Sequence, residues 1–342
     1  MKKPTIPRTE LKKRVIEEHI PRTTLSFYRY VRITDPQAMR DELFLKLTEF
    51  GCLGRIYIAS EGINAQMNVP TANFEAFDAY LQGKKEFSGI PYKIAVEETN
   101  VVSFYKLAIK VKSKIVADGL DDSTFDVTKT GEYLTAKEMN EYIDDPDAVI
   151  FDMRNGYEGE VGHFERAIVP DVDTFREELK IAPEMLKVHK NKKIAIYCTG
   201  GIRCEKASAW LKHNGFEHVK HLKGGIIDYK RQVEEEGLPN KFKGKNFVFD
   251  ERMGERISDE VIAHCHLCHT EKCDEHIHCK NQACHVLFIC CDTCKEKKKG
   301  YCSYKCMIFD RLPEGMKKIF TRNNHKKKLE QFKKHRLKSV VR

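Results

Sequence analysis

The sequence predicts a chain of three folded parts: an α+β domain, an α/β domain with a buried parallel sheet, and a small cysteine-rich metal module. Three observations carry that prediction. Over residues 25–118 the strand and helix patterns follow the split order strand, helix, strand, strand, helix, strand. Between 134 and 238 short apolar runs alternate with helical stretches, as in sheets buried on both faces. Ten of the thirteen cysteines lie between Cys265 and Cys306. At 342 residues the chain has room for roughly two to three domains, each with an ordinary core.

Taken in order, residues 1–24 are polar and punctuated by Pro4, Pro7 and Pro21, which reads as an N-terminal arm. FYRYVRI (27–33) follows as a strand. PQAMRDELFLKLTEFG (36–51) reads as a helix, with Met39, Leu43, Leu45, Leu47 and Phe50 at apolar spacing and Gly51 as its stop. GRIYIA (54–59) and INAQMNV (63–69) alternate apolar and polar residues around Ser60, Glu61 and Gly62, the pattern of a hairpin. TANFEAFDAYLQ (71–82) is a second helix with Thr71 as its N-cap, and strands follow in YKIAVEE (92–98) and within 104–116. This order is the ferredoxin-like pattern. Residues 119–133, rich in Asp, Thr and Gly, form a linker.

The second domain (134–238) opens with Thr135 and Glu138 spaced as a capping box in LTAKEMNEYIDD. AVIFDMR (148–154) and KKIAIYC (192–198) are buried strands, ASAWLKHNGF (207–216) is a helix, and HVKHLKGGIIDY (218–229) holds a strand ending in a double glycine. A cysteine-rich module (245–312) and a basic tail (313–342) complete the chain.

No run approaches the roughly 18 apolar residues of a spanning helix, and no apolar segment follows the basic N-terminus, so a membrane site and a secretory signal are not expected. A reducing cytoplasm is the expected location, where thiols are free, metal-bound or catalytic. Cys265 with Cys268, Cys279 with Cys284, Cys291 with Cys294, and Cys302 with Cys306 form four close pairs. Eight thiolates suit two structural zinc ions, leaving Cys273 and Cys290 over; spacing alone leaves open which pairs share an ion. Of the net charge of +9, residues 315–342 alone contribute +10, so the rest is nearly neutral. Lys326, Lys327, Lys328, Lys333 and Lys334 make this tail a candidate polyanion-binding arm. No segment signals a stable protein partner.

The chemistry concentrates in IAIYCTGGIRCEKASAWL. Cys198 ends a buried strand, and Thr199, Gly200, Gly201, Ile202 and Arg203 turn into a helix. Successive N–H groups in such a turn form an anion cradle, and the helix N-terminus with Arg203 favours a thiolate at Cys198. A reactive nucleophile is the expected consequence, with Cys204 in the first helical turn as either a resolving thiol or a packing residue.

From about Leu134 to Tyr229 the chain resembles a rhodanese domain, through the six-residue loop Cys198–Arg203, the upstream FDMRNGYEGEVGHFERAI and the closing LKGGIIDY. That resemblance places Asp152, Arg154, Glu158, Gly162 and His163 around the loop. Arg166 stands where the pattern often has glycine. GRIYIASEGINAQ, SFYKLAIKVKSKIVADG, YCTGGIRCEKASAWL and NQACHVLFICCDTC, in that order, resemble the rhodanese-like tRNA uridine-34 hydroxylase family over about residues 25–306. The resemblance implies a cytoplasmic oxidoreductase that converts the wobble uridine in the tRNA anticodon region to 5-hydroxyuridine with dioxygen, Cys198 being essential. No flavin or nicotinamide fingerprint and no non-haem iron set is evident, so the electron donor is left open.

The residues alone also fit a sulfurtransferase working through a Cys198 persulfide in tRNA thiolation, or a noncatalytic RNA-binding adaptor. Lys106, Lys110 and Lys112 alternate near Phe104 and Tyr105, so one sheet face either meets RNA or is simply solvated. Ser60, Glu61, Gly62 and Asn64 either make only a turn or reach the active site or tRNA. Cys52 reads as a core residue. The expected architecture is a ferredoxin-like (acylphosphatase-like) domain, a rhodanese α/β domain and a zinc module.

Overall fold

The computed structural model describes residues 6–96, 101–121, 124–313 and 316–317. The segment expected as an arm holds a helix, α1 (Arg8–Glu17), and the first strand, β1 (Arg22–Tyr30), begins and ends earlier than FYRYVRI. The whole strand pairs with β3 (Gly62–Pro70), Arg22 standing opposite Pro70 and Tyr30 opposite Gly62, and its polar residues alternate with the core side chains Leu25 and Phe27. Helix α2 (Pro36–Glu49) is capped by the Asp35 side chain, which accepts from the N–H groups of Gln37 and Ala38. Strand β2 (Leu53–Ala59) completes the hairpin with β3. The second helix starts later than expected: Thr71–Asn73 is a 3-10 turn, and α3 covers Phe74–Gln82. Only Lys93–Ile94 (β4) of the stretch 92–98 is strand, 97–98 lying outside the described residues, and β5 is Leu107–Val111.

These strands form one sheet in the order β4-β1-β3-β2-β5, with β5 parallel to β2 at the edge. Leu25, Phe27, Ile56, Ala65 and Met67 share one core with Leu43 and Leu47 of α2 and Phe77 and Leu81 of α3. The side chains between them, Thr24, Ser26 and Tyr28 on β1, Asn64 and Gln66 on β3, and Arg55 and Tyr57 on β2, belong to the opposite face because strand residues alternate.

In the second domain β6 (Glu132–Leu134) leads to α4 (Ala136–Asp144), where Thr135 and Glu138 complete the capping box. Then follow β7 (Val149–Asp152), α5 (Gly156–Glu160), β8 (Gly162–Phe164), α6 (Phe175–Met185), β9 (Ile194–Tyr197), α7 (Ile202–His213), β10 (Val219–Leu222) and α8 (Gly225–Glu236). The four-stranded sheet is parallel, in the order β6-β10-β9-β7. Phe151 and Ile196 pack with Leu179 of α6 and Leu211 of α7, while Ile150 and Ala195 pack with Met139 of α4 and Val233 of α8. Burial on both faces accounts for the unbroken apolar runs.

Arg166, where glycine is often found, has φ of +60°, in the left-handed region. Its guanidinium offsets the strain by donating to the carbonyls of Ile143 (2.5 Å) and Asp145 (2.8 Å) at the end of α4.

The chain divides into two compact units. The first runs to Gly159 and resumes over His163–Phe242 and Asn246–Ile257, so it holds both domains above; the second gathers Glu160–Gly162, Lys243–Lys245 and the described residues from Ser258 onward. Within the second, His276–His278 and Leu287–Ile289 form an antiparallel hairpin, followed by the short helices Asp292–Lys297 and Tyr304–Asp310.

Candidate functional site

Cys198 lies just past the end of β9 and is fully buried. The turn after it closes because Gly201 adopts φ of +96°, and a Cβ there would stand 2.7 Å from the Tyr28 hydroxyl. The Gly201 N–H donates to Cys198 Sγ at 3.1 Å. From the other side Gly225, also left-handed, presses onto the strand end; a Cβ would lie 2.4 Å from the Cys198 carbonyl oxygen. That contact explains the second glycine of the pair; Gly224 is left-handed as well, with φ of +69°.

Burial pushes the Cys198 thiol up, yet hydrogen bonding from the Cys204 thiol, the Arg203 charge and the N–H groups of Cys204 and Arg203 outweigh it and bring it down to about 6. Cys204 moves the opposite way: burial and the neighbouring Cys198 push its thiol well up, so it stays protonated as a donor. Near neutral pH Cys198 is therefore mostly thiolate and Cys204 mostly thiol.

Arg203 is held by a two-pronged pair with Glu158, Nη1 to Oε1 at 2.6 Å and Nη2 to Oε2 at 2.9 Å, and its Nη2 also donates to Thr199 Oγ1 at 3.3 Å. Glu158 is buried and accepts a further bond from the Asn155 N–H at 3.0 Å. Arg203→Ala strands that carboxylate, and a loss of about 3–5 kcal/mol is expected in urea unfolding. Arg203→Met with Glu158→Gln removes the stranded charge, so its effect on Cys198 is read separately. Alkylation of Cys198, followed by peptide mass, should inflect near pH 6 in the wild type and shift toward about 8.5, the ordinary thiol value, in the double variant. An unmoved inflection removes Arg203 from this role.

The residues placed around the loop therefore separate into two clusters. Glu158 joins Thr199 and Arg203. Asp152 and Arg154 form their own buried pair, with Arg154 Nε to Asp152 Oδ1 at 2.8 Å and the Tyr197 hydroxyl donating to Asp152 Oδ2 at 2.8 Å. His163 stands near that pair, and burial lowers its affinity for a proton.

The first domain supplies further neighbours, among which Tyr28, Tyr30 and Lys93 were not singled out in the sequence. Tyr28 donates to Glu205 Oε1 at 3.1 Å, and the Tyr30 hydroxyl to the Ile202 carbonyl at 3.4 Å. Glu61, left open between turn and site, accepts from the buried Lys206 at 2.8 Å; Asp118 accepts from the same ammonium at 2.6 Å. Asn64 donates to the Ile115 carbonyl at 3.0 Å. Lys93, buried in β4, holds its ammonium 4.9 Å from the Tyr28 ring centroid. A tyrosine pair at alternate strand positions and a lysine inside an apolar strand were the available signals.

A cleft lined by Thr24, Ser26, Gln66, Lys93, Thr199 and Phe249 ends at the active loop. A neighbouring hollow of about 270 Å³ shares Gln66 and Phe249 and is lined by Asn64, Tyr57 and Arg55. Lys106, Lys110 and Lys112 are exposed, and Lys110 is paired with Tyr57 across β2 and β5. Lys326, Lys327, Lys328, Lys333 and Lys334 lie outside the described residues.

In the second unit the eight paired cysteines fall into two groups: Cys265, Cys268, Cys291 and Cys294, and Cys279, Cys284, Cys302 and Cys306. Within each group the sulfurs lie within 4.8 Å of one another. A tetrahedral thiolate-bound ion with bonds of about 2.3 Å needs sulfur edges of about 3.8 Å. Cys284 to Cys302 measures 3.8 Å and Cys302 to Cys306 measures 3.5 Å, so the donor set fits such an ion. The pairing is interleaved, first pair with third and second with fourth. The hairpin causes this: Cys279 and Cys284 lie at its turn and Cys291 just beyond its other end. Cys273 and Cys290 belong to neither group.

Three family models match the chain: the UPF0176 acylphosphatase-like domain over 22–115, the rhodanese-like domain over 135–232 and the rhodanese C-terminal region over 243–307. A protein of Escherichia coli strain SMS-3-5, named tRNA uridine(34) hydroxylase, is 57% identical over 297 residues, covering 86% of this chain and 84% of its own. Its counterpart in strain K12, of the same name, is 56% identical with the same coverage. Among solved structures, a rhodanese-related protein from Thermoplasma volcanium is 25% identical with a TM-score of 0.24, covering 32% of this chain and 95% of its own.

Proposed function

The chain belongs to the tRNA uridine(34) hydroxylase family, and from that premise we propose that the Cys198 thiolate activates the wobble uridine for oxygenation by dioxygen. The protein is a tRNA-modifying enzyme that hydroxylates uridine 34, and 5-hydroxyuridine is the proposed product. The observation supporting the route is a buried cysteine kept ionised near neutral pH at the end of a cleft.

In the proposed route the thiolate adds to C6 of the pyrimidine. The sulfur–C6 bond forms, and the C5=C6 pair moves toward O4, giving an enolate that is nucleophilic at C5. Dioxygen adds at C5. One oxygen atom stays there and the other leaves as water, consuming two electrons and two protons from a two-electron donor. Loss of the C5 proton and departure of Cys198 restore the ring. Arg203, held in place by Glu158, keeps the leaving sulfur stable as an anion.

The substrate reading extends to the anticodon stem-loop, with Lys106, Lys110 and Lys112 and the tail lysines from Lys326 to Lys334 meeting phosphates. Zinc is the proposed occupant of both four-cysteine groups, and the cytoplasm the proposed location. Among the described residues no helix is long and apolar enough to cross a membrane.

Under heavy-isotope dioxygen the product nucleoside should gain one heavy oxygen. High-resolution mass is needed, because adding oxygen and replacing oxygen by sulfur change the nominal mass equally. Label from water contradicts direct use of dioxygen. A sulfur-containing product, formed without dioxygen from a persulfide donor, replaces this reading with sulfur transfer by the rhodanese loop.

A further inference from the structure

We propose that Lys93, supplied by the acylphosphatase-like domain, is a catalytic residue that stabilises the charge developing on O4 of the target uracil when Cys198 adds to C6. The inference rests on the adduct route above and adds a second group to it.

Lys93 is only 6% exposed, yet among the described residues it forms no ion pair. Burying an ammonium without a direct ion-pair partner is costly, and such a group is kept where an anion arrives later. Its ammonium rests above the Tyr28 ring at 4.9 Å, a weaker contact than an ion pair. A Cβ on Gly200 would lie 3.6 Å from Lys93 Cδ, so the stem passes directly over the active loop. Lys93 and Thr199 line the same cleft.

Charge and mobility favour Lys93 over its neighbours. Arg203 is locked to Glu158, and Lys206 is shared between Glu61 and Asp118. Tyr28 is tied to Glu205. Cys198 is sealed from solvent, so a base reaches it only if part of this roof moves. Lys93, with four rotatable carbons and no ion pair to break, is the member free to swing aside and return to the base that displaced it. Burial lowers the proton affinity of Lys93, and the nearby Asp228 carboxylate and Cys198 thiolate act against that.

The step is a charge shift without proton transfer. The sulfur–C6 bond forms, the π pair moves to O4, and the Lys93 ammonium donates a hydrogen bond to that oxygen. Such a donor acts on the transition state more than on bound tRNA.

Addition at C6 can be observed without oxygen. In deuterated buffer under anaerobic conditions, reversible addition makes C5 of uridine 34 exchange its hydrogen with solvent, which mass spectrometry of the nucleoside detects. The wild type should exchange. Lys93→Met should lower both exchange and kcat for 5-hydroxyuridine roughly a hundredfold, with the Kd for tRNA within about threefold. Lys93→Arg should recover a tenth or more of the wild-type rate. Thermal stability of Lys93→Met should be equal or higher, because a buried unpaired charge is removed; a structural role predicts a loss. Wild-type exchange in Lys93→Met overturns the role of Lys93 alone. No exchange in the wild type, with product still formed under oxygen, overturns the adduct route and the role of Lys93 with it.

Discussion

Cys198→Ser is expected to lower 5-hydroxyuridine formation roughly 10⁴-fold or more, the scale on which removal of a nucleophile acts. Serine nearly preserves volume and can still accept from the Gly201 N–H, now 3.1 Å from sulfur. It cannot ionise near neutral pH, so the environment that brings Cys198 down to about 6 has nothing to act on. Fold and tRNA affinity should hold. Cys204→Ser should be milder, because a hydroxyl can replace the thiol as donor to Cys198. The pH profile follows in sign: wild-type activity falls as pH drops through about 6, where the thiolate takes up a proton. Activity surviving in Cys198→Ser, or equal losses in both serine variants, contradicts the assignment. Nucleoside analysis of tRNA with each variant supplies the measurement.

Removal of metal should have the second largest effect. Protein purified under reducing conditions is expected to carry two zinc ions per chain. Structural zinc sites supply about 10–16 kcal/mol each in small metal-dependent folds, far more than the few short strands and helices between Ser258 and Pro313 can replace. A strong chelator should therefore strip amide-exchange protection from the hairpin strands His276–His278 and Leu287–Ile289, while β9 and β10 of the parallel sheet retain theirs. One ion per chain, or iron, refutes the zinc reading. Protection persisting in the hairpin without metal refutes its dependence on the ions.

Local patterns made much of this legible in the sequence. The Thr135–Glu138 box, the apolar runs at 148–154 and 192–198, and the Gly-rich turn after Cys198 each have a cause within a few residues. Relations across the fold were not legible. Nothing near Tyr28 or Lys93 in the chain indicates that β1 and β4 stand over a loop more than a hundred residues away. Glu158 and Arg203 were both expected near the loop, but their pairing, and the separate pairing of Asp152 with Arg154, depends on side-chain reach in the packed domain. The start of β1 was misread because its polar residues belong to a sheet face that lines a cleft. Spacing could not choose among the cysteine pairings, since the hairpin between Cys273 and Cys290 decides it.

The interleaved cysteines also set an order of events during translation. Cys294 completes the first group before Cys302 and Cys306 of the second have been synthesised. While half the second group is missing, the emerging chain offers one complete set of four thiols, so the proposed loading would begin with Cys265, Cys268, Cys291 and Cys294. The hairpin between their two pairs is then closed into a loop, with Cys279 and Cys284 already gathered at its turn to receive the last two ligands as they leave the ribosome. With the proposed ions in both groups, the nascent chain would meet its metals as a vectorial sequence, the first ion serving as a template for the second.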